Sequence, residues 1–386
     1  MPAKILVVDD EPQFERLIRQ RFRKKIKNYE YHFAFCRNGA EALEMLQQND
    51  PFDIVMTDIN MPVMDGLTFL TKLKETGLLV KPVMVSAYGD FKNIRMAMNQ
   101  GAYDFVIKPI DFEDLEITLN KAIREVELLK LAARTREELN LIQQELNVAS
   151  EIQQSILPKD FSVFPEGCNF EICAKMLPAQ NVGGDFYDFF NIDAHHLGFV
   201  IGDVSGKGMP AALFMAISRT LLKAIALKGG STEQCLKQLN YLLSQDNPKA
   251  MFVTLFYGIL NQTSGIVEYC NGGHNPPGII SPDGKPKFLD HSRNSALGIE
   301  EDLDYQSSTV HLEPGSAILL YTDGIPEAVN TRQDEFSNDR LKEYLQRCTN
   351  FSSQLIIEHL IKEVKEFAAG EPQSDDITAL AIKNNG

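Results

Sequence analysis

The sequence predicts an α/β protein in three parts: a doubly wound parallel-sheet domain, a long helix, and a C-terminal domain whose strand ends carry aspartates. Three observations predict it. Before residue 121, continuous Val/Ile/Leu runs alternate with amphipathic stretches, the pattern of strands buried on both faces and crossed by helices. From about Phe112 to Leu157 the chain is rich in Leu, Glu, Lys, Arg and Gln and has no Gly or Pro, which favours one helix. Beyond it, GGDFYD (Gly183 to Asp188), GDVSGKG (Gly202 to Gly208), YTDG (Tyr321 to Gly324) and DDIT (Asp375 to Thr378) each place an acidic residue at a strand end or turn.

At 386 residues and 44% hydrophobic, the chain is long enough to bury two cores. A net charge of −15 argues against non-specific nucleic-acid binding. The basic run Arg19, Arg21, Arg23, Lys24, Lys25 and Lys27 reads as a solvated helix face. No long uninterrupted apolar segment and no charged-then-apolar N-terminus is present, so neither a membrane span nor a signal peptide is expected, and the expected location is cytoplasmic. The six cysteines, Cys36, Cys168, Cys173, Cys235, Cys270 and Cys348, form no CxxC pair and are expected to be reduced thiols.

The first strand, in KILVVDDE (Lys4 to Glu11), ends in an acidic pair; the strand in DIVMTDINMP (Asp53 to Pro62) ends at Asp58. Later apolar runs end near Ser86 and, in YDFVIKP (Tyr103 to Pro109), near Lys108. A parallel sheet gathers its strand C-termini on one edge, so these polar groups form a site. Residues 1–121 resemble the response-regulator receiver domain. The resemblance implies that Asp58 is the phosphoacceptor and that Asp9, Asp10 and Asp58, with the Asn60 carbonyl, bind Mg2+. It also implies that Ser86 and Lys108 hold the phosphoryl oxygens, that Phe105 is the switch aromatic, and that MPVMDG (Met61 to Gly66) is the turn after the phosphorylation strand. A phosphoryl group would add roughly two negative charges at Asp58 and draw Ser86 and Lys108 inward. An unphosphorylated pseudo-receiver is the bland alternative, and the presence of every functional residue speaks against it.

In the helical stretch, Leu115, Leu119, Ala122, Val126, Leu129 and Ala133 keep a 4,3 spacing. Leu139, Ile142, Leu146, Ala149, Gln153 and Ile156 keep a 3,4 spacing, with a register slip near Arg136. Residues 122–157 are therefore expected to be a parallel dimeric coiled-coil linker. An amphipathic helix packed on its own C-terminal domain is the alternative.

Carboxylates from four separated segments would repel one another in a small cleft unless Mg2+ or Mn2+ neutralised them, so the C-terminal motifs read as one metal site. Any one Asp-Gly pair is equally a plain turn; four in this order are not. From about Ser150 to Lys383 the chain resembles metal-dependent serine/threonine protein phosphatases of the type 2C class, in the bacterial branch that includes the sporulation phosphatase E and regulators of the general stress response. ASEIQQSILP, GGDFYD, GDVSGKG, GGHNPP, YTDG and DDIT carry that resemblance. It implies an αββα sandwich over residues 158–386 with a dimetal centre. Asp203 would bridge both ions and the Val204 carbonyl would bind one; Asp323 and Asp375 would hold the first, and Asp185 would serve the second, through water. Asp376 competes with Asp375 for its role. The ions would activate a bridging water, so no protein nucleophile is needed, and catalysis would rest on Asp203, Asp323 and Asp375. Eukaryotic members have a histidine where this chain offers Ser205 and Lys207. That leaves the general acid unassigned, with Lys207 a phosphate-binding candidate. His274 in GGHNPP reads as a turn histidine satisfied by backbone and stays outside the site.

The expected function is that of a response regulator whose output is a phosphatase. A sensor histidine kinase would phosphorylate Asp58, and the C-terminal domain would hydrolyse phosphoserine or phosphothreonine on a partner protein. The resemblance implies that this partner is an anti-sigma-factor antagonist. Phosphorylation is expected to activate. The alternative is a non-catalytic adaptor that binds a sigma-factor regulator when Asp58 is phosphorylated. A DNA-binding response regulator is disfavoured by the charge and by the lack of a helix-turn-helix segment after residue 121.

Overall fold

The structure is a computed structural model that describes residues 2–48, 52–87, 91–165, 167–245, 247–290 and 294–386, and every count below is of these. It divides into two compact units, residues 1–142 and 143–386.

The first unit runs β1 (Ala3–Val8), α1 (Pro12–Arg21), α2 (Arg23–Lys27), β2 (Tyr31–Cys36), α3 (Gly39–Leu46), β3 (Ile54–Asp58), α4 (Gly66–Thr76), β4 (Lys81–Ala87), α5 (Phe91–Gln100), β5 (Asp104–Lys108) and then enters α6 (Phe112–Ile156). Its sheet is wholly parallel, in the order β2-β1-β3-β4-β5. The continuous apolar strands serve two cores at once. Ile5, Val7, Met56, Val83 and Val85 pack on one face with Leu115 and Leu119; Leu6, Val8 and Val55 pack on the other with Phe69 and Leu73. This is the period-2 consequence of a sheet covered on both sides. Local signals set the helix starts. Asn38 accepts from the Ala40 and Glu41 N–H groups ahead of α3, and Asp65 accepts from Thr68 ahead of α4.

Helix α6 is unbroken over 45 residues, including Arg136. One expectation is corrected here. Leu115, Leu119 and Ala122, taken above as the start of a dimer seam, belong to the core of the first unit, and Val126 is also buried. Their apolar surface is spent within the chain, and the linker assigned to begin at residue 122 begins inside this packed helix. Further along, Leu129, Leu139 and Ile142 are exposed.

The second unit takes up the end of α6 and continues β6 (Phe170–Leu177), β7 (Phe186–Asn191), β8 (His196–Val204), α7 (Met209–Ala226), α8 (Thr232–Ser244), β9 (Val253–Asn261), β10 (Ile266–Gly272), β11 (Gly278–Ile280), β12 (Lys287–Phe288), β13 (Ser308–His311), β14 (Ala317–Tyr321), α9 (Ser337–Arg347), α10 (Ser353–Ala368) and β15 (Ile377–Asn384). Two antiparallel sheets form, β13-β10-β9-β8-β7 and β12-β11-β14-β15-β6. Phe186, Phe199, Leu320, Leu380 and Ile382 meet between them, and Leu222, Leu236 and Leu239 of α7 and α8 join the same core. On the other side, Leu345, Ile356 and Leu360 of α9 and α10 pack on Leu319 and Ala381. The layering is therefore helices, sheet, sheet, helices, as expected. Helix α7 is long and apolar enough to cross a membrane, but Ala211, Met215 and Leu222 are buried in this core. All six cysteines are free thiols.

Leu119 is fully buried where α6 meets the receiver-side core. Leu119→Ala should therefore destabilise the first unit by about 2–5 kcal/mol, read as an earlier urea transition of that unit, while substitution of exposed Leu139 should leave the transition in place.

Two candidate aspartate sites

In the first unit, strand order reverses between β1 and β3, which opens a crevice at the carboxyl ends of these strands. Asp9 follows β1 and Asp58 ends β3. One ligand atom from each of Asp9, Asp10 and Asp58 lies within 4.8 Å of the others. Lys108, the last residue of β5, donates to Asp58 Oδ2 at 2.7 Å and to Asp9 Oδ2 at 3.0 Å. Burial works against the Lys108 charge, but the contacts to Asp58 and Asp9 outweigh it and raise its pKa. Burial raises the Asp9 carboxyl, and Lys108 partly offsets that. The Asn60 N–H donates to Asp58 Oδ1 at 3.4 Å. Ser86 is buried at the end of β4 and its hydroxyl donates to the Ala87 carbonyl at 3.4 Å, while the Phe105 ring on β5 is exposed. Six of the seven residues of the receiver set thus stand at strand ends or just after them, and Phe105 lies within β5.

In the second unit the four motifs converge from strand ends and the turns beside them. Asp185 precedes β7, Asp203 and Val204 end β8, Asp323 follows β14, and Asp375 and Asp376 precede β15. The two members of the DD pair do different work. Asp376 is buried, and its carboxylate accepts N–H groups from Ala179 at 2.8 Å, Gly184 at 2.7 Å and Asp185 at 3.4 Å. Two glycines close around it. A Cβ on Gly183 would stand 2.1 Å from Asp376 Oδ2, and one on Gly324 would stand 2.0 Å from the Asp376 carbonyl oxygen. Asp375 is half-buried, and its Oδ2 lies 3.0 Å from Lys207 Nζ. Lys207 also donates to the Ser374 carbonyl at 2.6 Å.

Electrostatics tie the remaining carboxylates together. Asp185 is almost wholly buried, and burial first, then Asp203, hold its carboxyl well above the usual range. Thr322 Oγ1 donates to Asp185 Oδ2 at 2.7 Å. Asp203 is pushed up to about 7 by burial, then by Asp323 and Asp375, and Asp323 is raised by burial and by Asp375. Like charges so close raise one another's pKa unless a cation intervenes. The donor set is all oxygen, which suits a hard divalent ion such as Mg2+ or Mn2+. A cavity of about 530 Å3, lined by Asn275, Pro276, Phe288, Asp290, Asp323 and Glu335 among others, opens beside Asp323.

The comparisons with known proteins fit these two sites. The family model for Stage II sporulation protein E matches residues 193–385, half of the chain. The chain belongs to the Stage II sporulation protein E family. The response regulator receiver domain model matches residues 5–120. Protein IcfG of Synechocystis sp. is 31% identical over 62% of this chain and 42% of its own length. Phosphoserine phosphatase RsbU of Bacillus subtilis is 28% identical over 63% of this chain and 70% of its own. The chain thus spans less than half of IcfG. The SiaA-PP2C domain of Pseudomonas aeruginosa superposes with a TM-score of 0.56 at 23% identity, over 64% of this chain and 98% of that one, and so shares the fold.

Within this family fold, His274 is buried and bonded. Its N–H donates to Asn271 Oδ1 at 2.7 Å, its Nδ1 is 2.9 Å from Thr254 Oγ1, and burial lowers its pKa to about 4. The Asn271 and Thr254 side chains supply these contacts, where backbone was expected to. Two residues escaped the sequence reading. Thr322 sat in plain view in YTDG, where a hydroxyl beside an aspartate carries little signal. Gln153 was placed in the apolar 3,4 series, and its polarity at a core position was the signal. Its side chain is buried on α6 and contacts the loop that carries Asp185.

The raised carboxyls have a pH consequence. Folded protein without metal binds more protons than unfolded chain between about pH 4 and the Asp203 value of about 7, so the stability these groups confer falls as pH rises through that window. In EDTA the Tm should decline from about pH 5 to about pH 8. Asp203→Asn should flatten that decline, and Mn2+ at the higher pH should restore the wild type more than the variant.

Proposed function

We propose that the chain is a metal-dependent protein-serine/threonine phosphatase whose activity is set by phosphorylation of Asp58. The observation that carries the reading is the convergence of Asp185, Asp203, Asp323 and Asp375 from four strand ends, with Asp376 spent on backbone N–H groups. In this reading residues 1–121 are the receiver, 122–157 the linker and 158–386 the phosphatase, and the protein acts in the cytoplasm.

Asp203, the Val204 carbonyl, Asp323, Asp375 and Asp185 would hold the ions, with Asp203 central among the carboxylates that raise one another. When bound, such ions would lower the pKa of a water and neutralise phosphoryl charge. The chain's own residues set the geometry. Thr322 fixes one oxygen of Asp185, Asp376 fixes the backbone leading into it, and Lys207 leans on Asp375. The cavity beside Asp323 leaves room for the protein chain that carries the phosphate. In the receiver, Asp58 accepts a phosphoryl group from a sensor histidine kinase, with Mg2+ held by Asp9, Asp10, Asp58 and the Asn60 carbonyl. Lys108 turns from the two carboxylates to the phosphoryl oxygens, Ser86 joins it, and the exposed Phe105 ring swings inward. The substrate class is a phosphoserine or phosphothreonine protein, with an anti-sigma-factor antagonist as the substrate the family resemblance favours. The naming of RsbU as a phosphoserine phosphatase supports the chemistry.

Asp203→Ala and Asp323→Asn should each lower Mn2+-dependent hydrolysis of p-nitrophenyl phosphate by about two orders of magnitude or more, because each misplaces an ion that supplies several kcal/mol. Wild-type protein inert with Mn2+ on phosphoserine peptides would instead favour the adaptor.

Regulation would run through α6, with phosphorylation activating. Leu139 and Ile142 are exposed on a single chain, which supports a homodimer through the middle of the helix. Replacing Leu139 and Leu146 by lysine should weaken self-association in the ultracentrifuge and abolish activation by beryllofluoride, while Asp58→Ala should abolish beryllofluoride modification itself. Seam variants that still respond fully would rule out the dimeric route.

A further inference from the structure

The long helix ends in a contact with the metal-site backbone. Gln153, three residues from the end of α6, is buried to 6% exposure. Its Nε2 donates to the Gly183 carbonyl at 2.6 Å and its Oε1 accepts the Gly183 N–H at 3.0 Å. One amide side chain thus satisfies both polar groups of one residue, a paired arrangement that fixes orientation as well as position. Gly183 lies two residues before Asp185 and closes on Asp376. Six residues earlier on α6, Asn147 Oδ1 accepts from Asn181 Nδ2 at 3.1 Å, so the helix holds the same loop at a second point. With Gln153 on one side and Asp376 on the other, the Gly183–Asp185 backbone has no freedom to turn the Asp185 carboxylate away.

We propose that Gln153 is a positioning residue for the metal centre: it clamps the Gly183 peptide so that Asp185 is presented to the second ion, which makes the end of α6 a part of the metal site. This rests on the metal-site reading above. Helical rise is about 1.5 Å per residue, and a hydrogen bond is lost over a smaller slide than that. A shift of α6 by one residue would therefore release Gly183 and loosen one of the restraints on the loop that carries Asp185. The inference also accounts for a glutamine in the otherwise apolar 3,4 series.

The test uses the full chain, with Mn2+ binding followed by electron paramagnetic resonance of the free ion and, separately, the Tm in EDTA. Gln153→Met keeps the side-chain length and removes both hydrogen bonds; Gln153→Glu keeps an acceptor for the Gly183 N–H and loses the donor. The expected result is about a tenfold loss of affinity at one Mn2+ site in Gln153→Met and a smaller loss in Gln153→Glu, with beryllofluoride modification of the receiver unchanged in both. A lowered Tm with wild-type Mn2+ affinity means that Gln153 only holds the fold together and overturns the proposal. If Gln153→Met fails to fold, wild-type affinity in Gln153→Glu overturns it equally. Wild-type protein that binds no Mn2+ outside the receiver would overturn the metal-site reading itself, and the inference with it.

Discussion

Carboxylates held together in a cleft cannot all be ionised without a cation, and both halves of this protein are organised around that constraint. In the receiver half the cation is part of the chain: Lys108 bridges Asp9 and Asp58. In the other half Asp203 feels the charges of Asp185, Asp323 and Asp375, and the one ion pair Lys207 makes among the described residues is with Asp375. Burial raises the cost of ionising Asp185, Asp203 and Asp323. The alternatives are a proton or a divalent ion, and an all-oxygen set of this kind selects the hard ion. Hydrogen bonds to Asp185 and its backbone keep its oxygens from relaxing away.

That restraint comes from backbone more than from side chains. Asp376 collects three N–H groups from the loop before β7, so the loop that bears Asp185 is tied to the start of β15. Gly183 and Gly324 are glycines because the Asp376 side chain and its carbonyl occupy the space a Cβ would need, and Gly184 because the Val204 carbonyl does. The DD pair is therefore one structural carboxylate and one exposed to the cleft. A substitution that removed either would act differently: loss of Asp376 leaves three donors unpaired, whereas loss of Asp375 removes the ion pair with Lys207.

Much of this was legible in the sequence. Strand ends and the acidic motifs gave away both sites, because an apolar run that stops at an aspartate marks a strand terminus wherever it occurs. The parallel sheet was legible because β1, β3 and β4 must bury both faces. The helix was read over nearly its full length from composition alone. Its partners were not. The stripe Leu115, Leu119, Ala122 and Val126 has the period of a coiled-coil seam, and period says only that a face is buried, not against what. Asp375 was preferred to Asp376 only through the family resemblance, since adjacent residues of one type differ only in the direction the backbone gives them. Thr322 and Gln153 act through hydrogen bonds to groups distant in sequence, which no local pattern encodes.

Helix α6 is where these elements bear on regulation. Its first turns are fixed by apolar burial in the receiver-side core, and its last turns by Gln153 and by Leu157 just beyond it. Between them Leu128, Leu131, Leu139, Leu141, Ile142, Val148 and Ile152 are exposed, far more apolar surface than an isolated solvated helix carries without a partner. A helix anchored at both ends and bare in the middle has few ways to respond to a change at one end: it can slide, rotate, or pair through the bare face. The contact with Gly183 is made by the helix itself. In the regulatory reading proposed above, a charge added at Asp58 would act by biasing the position of a helix whose middle is apolar and exposed and whose end bonds Gly183 through Gln153.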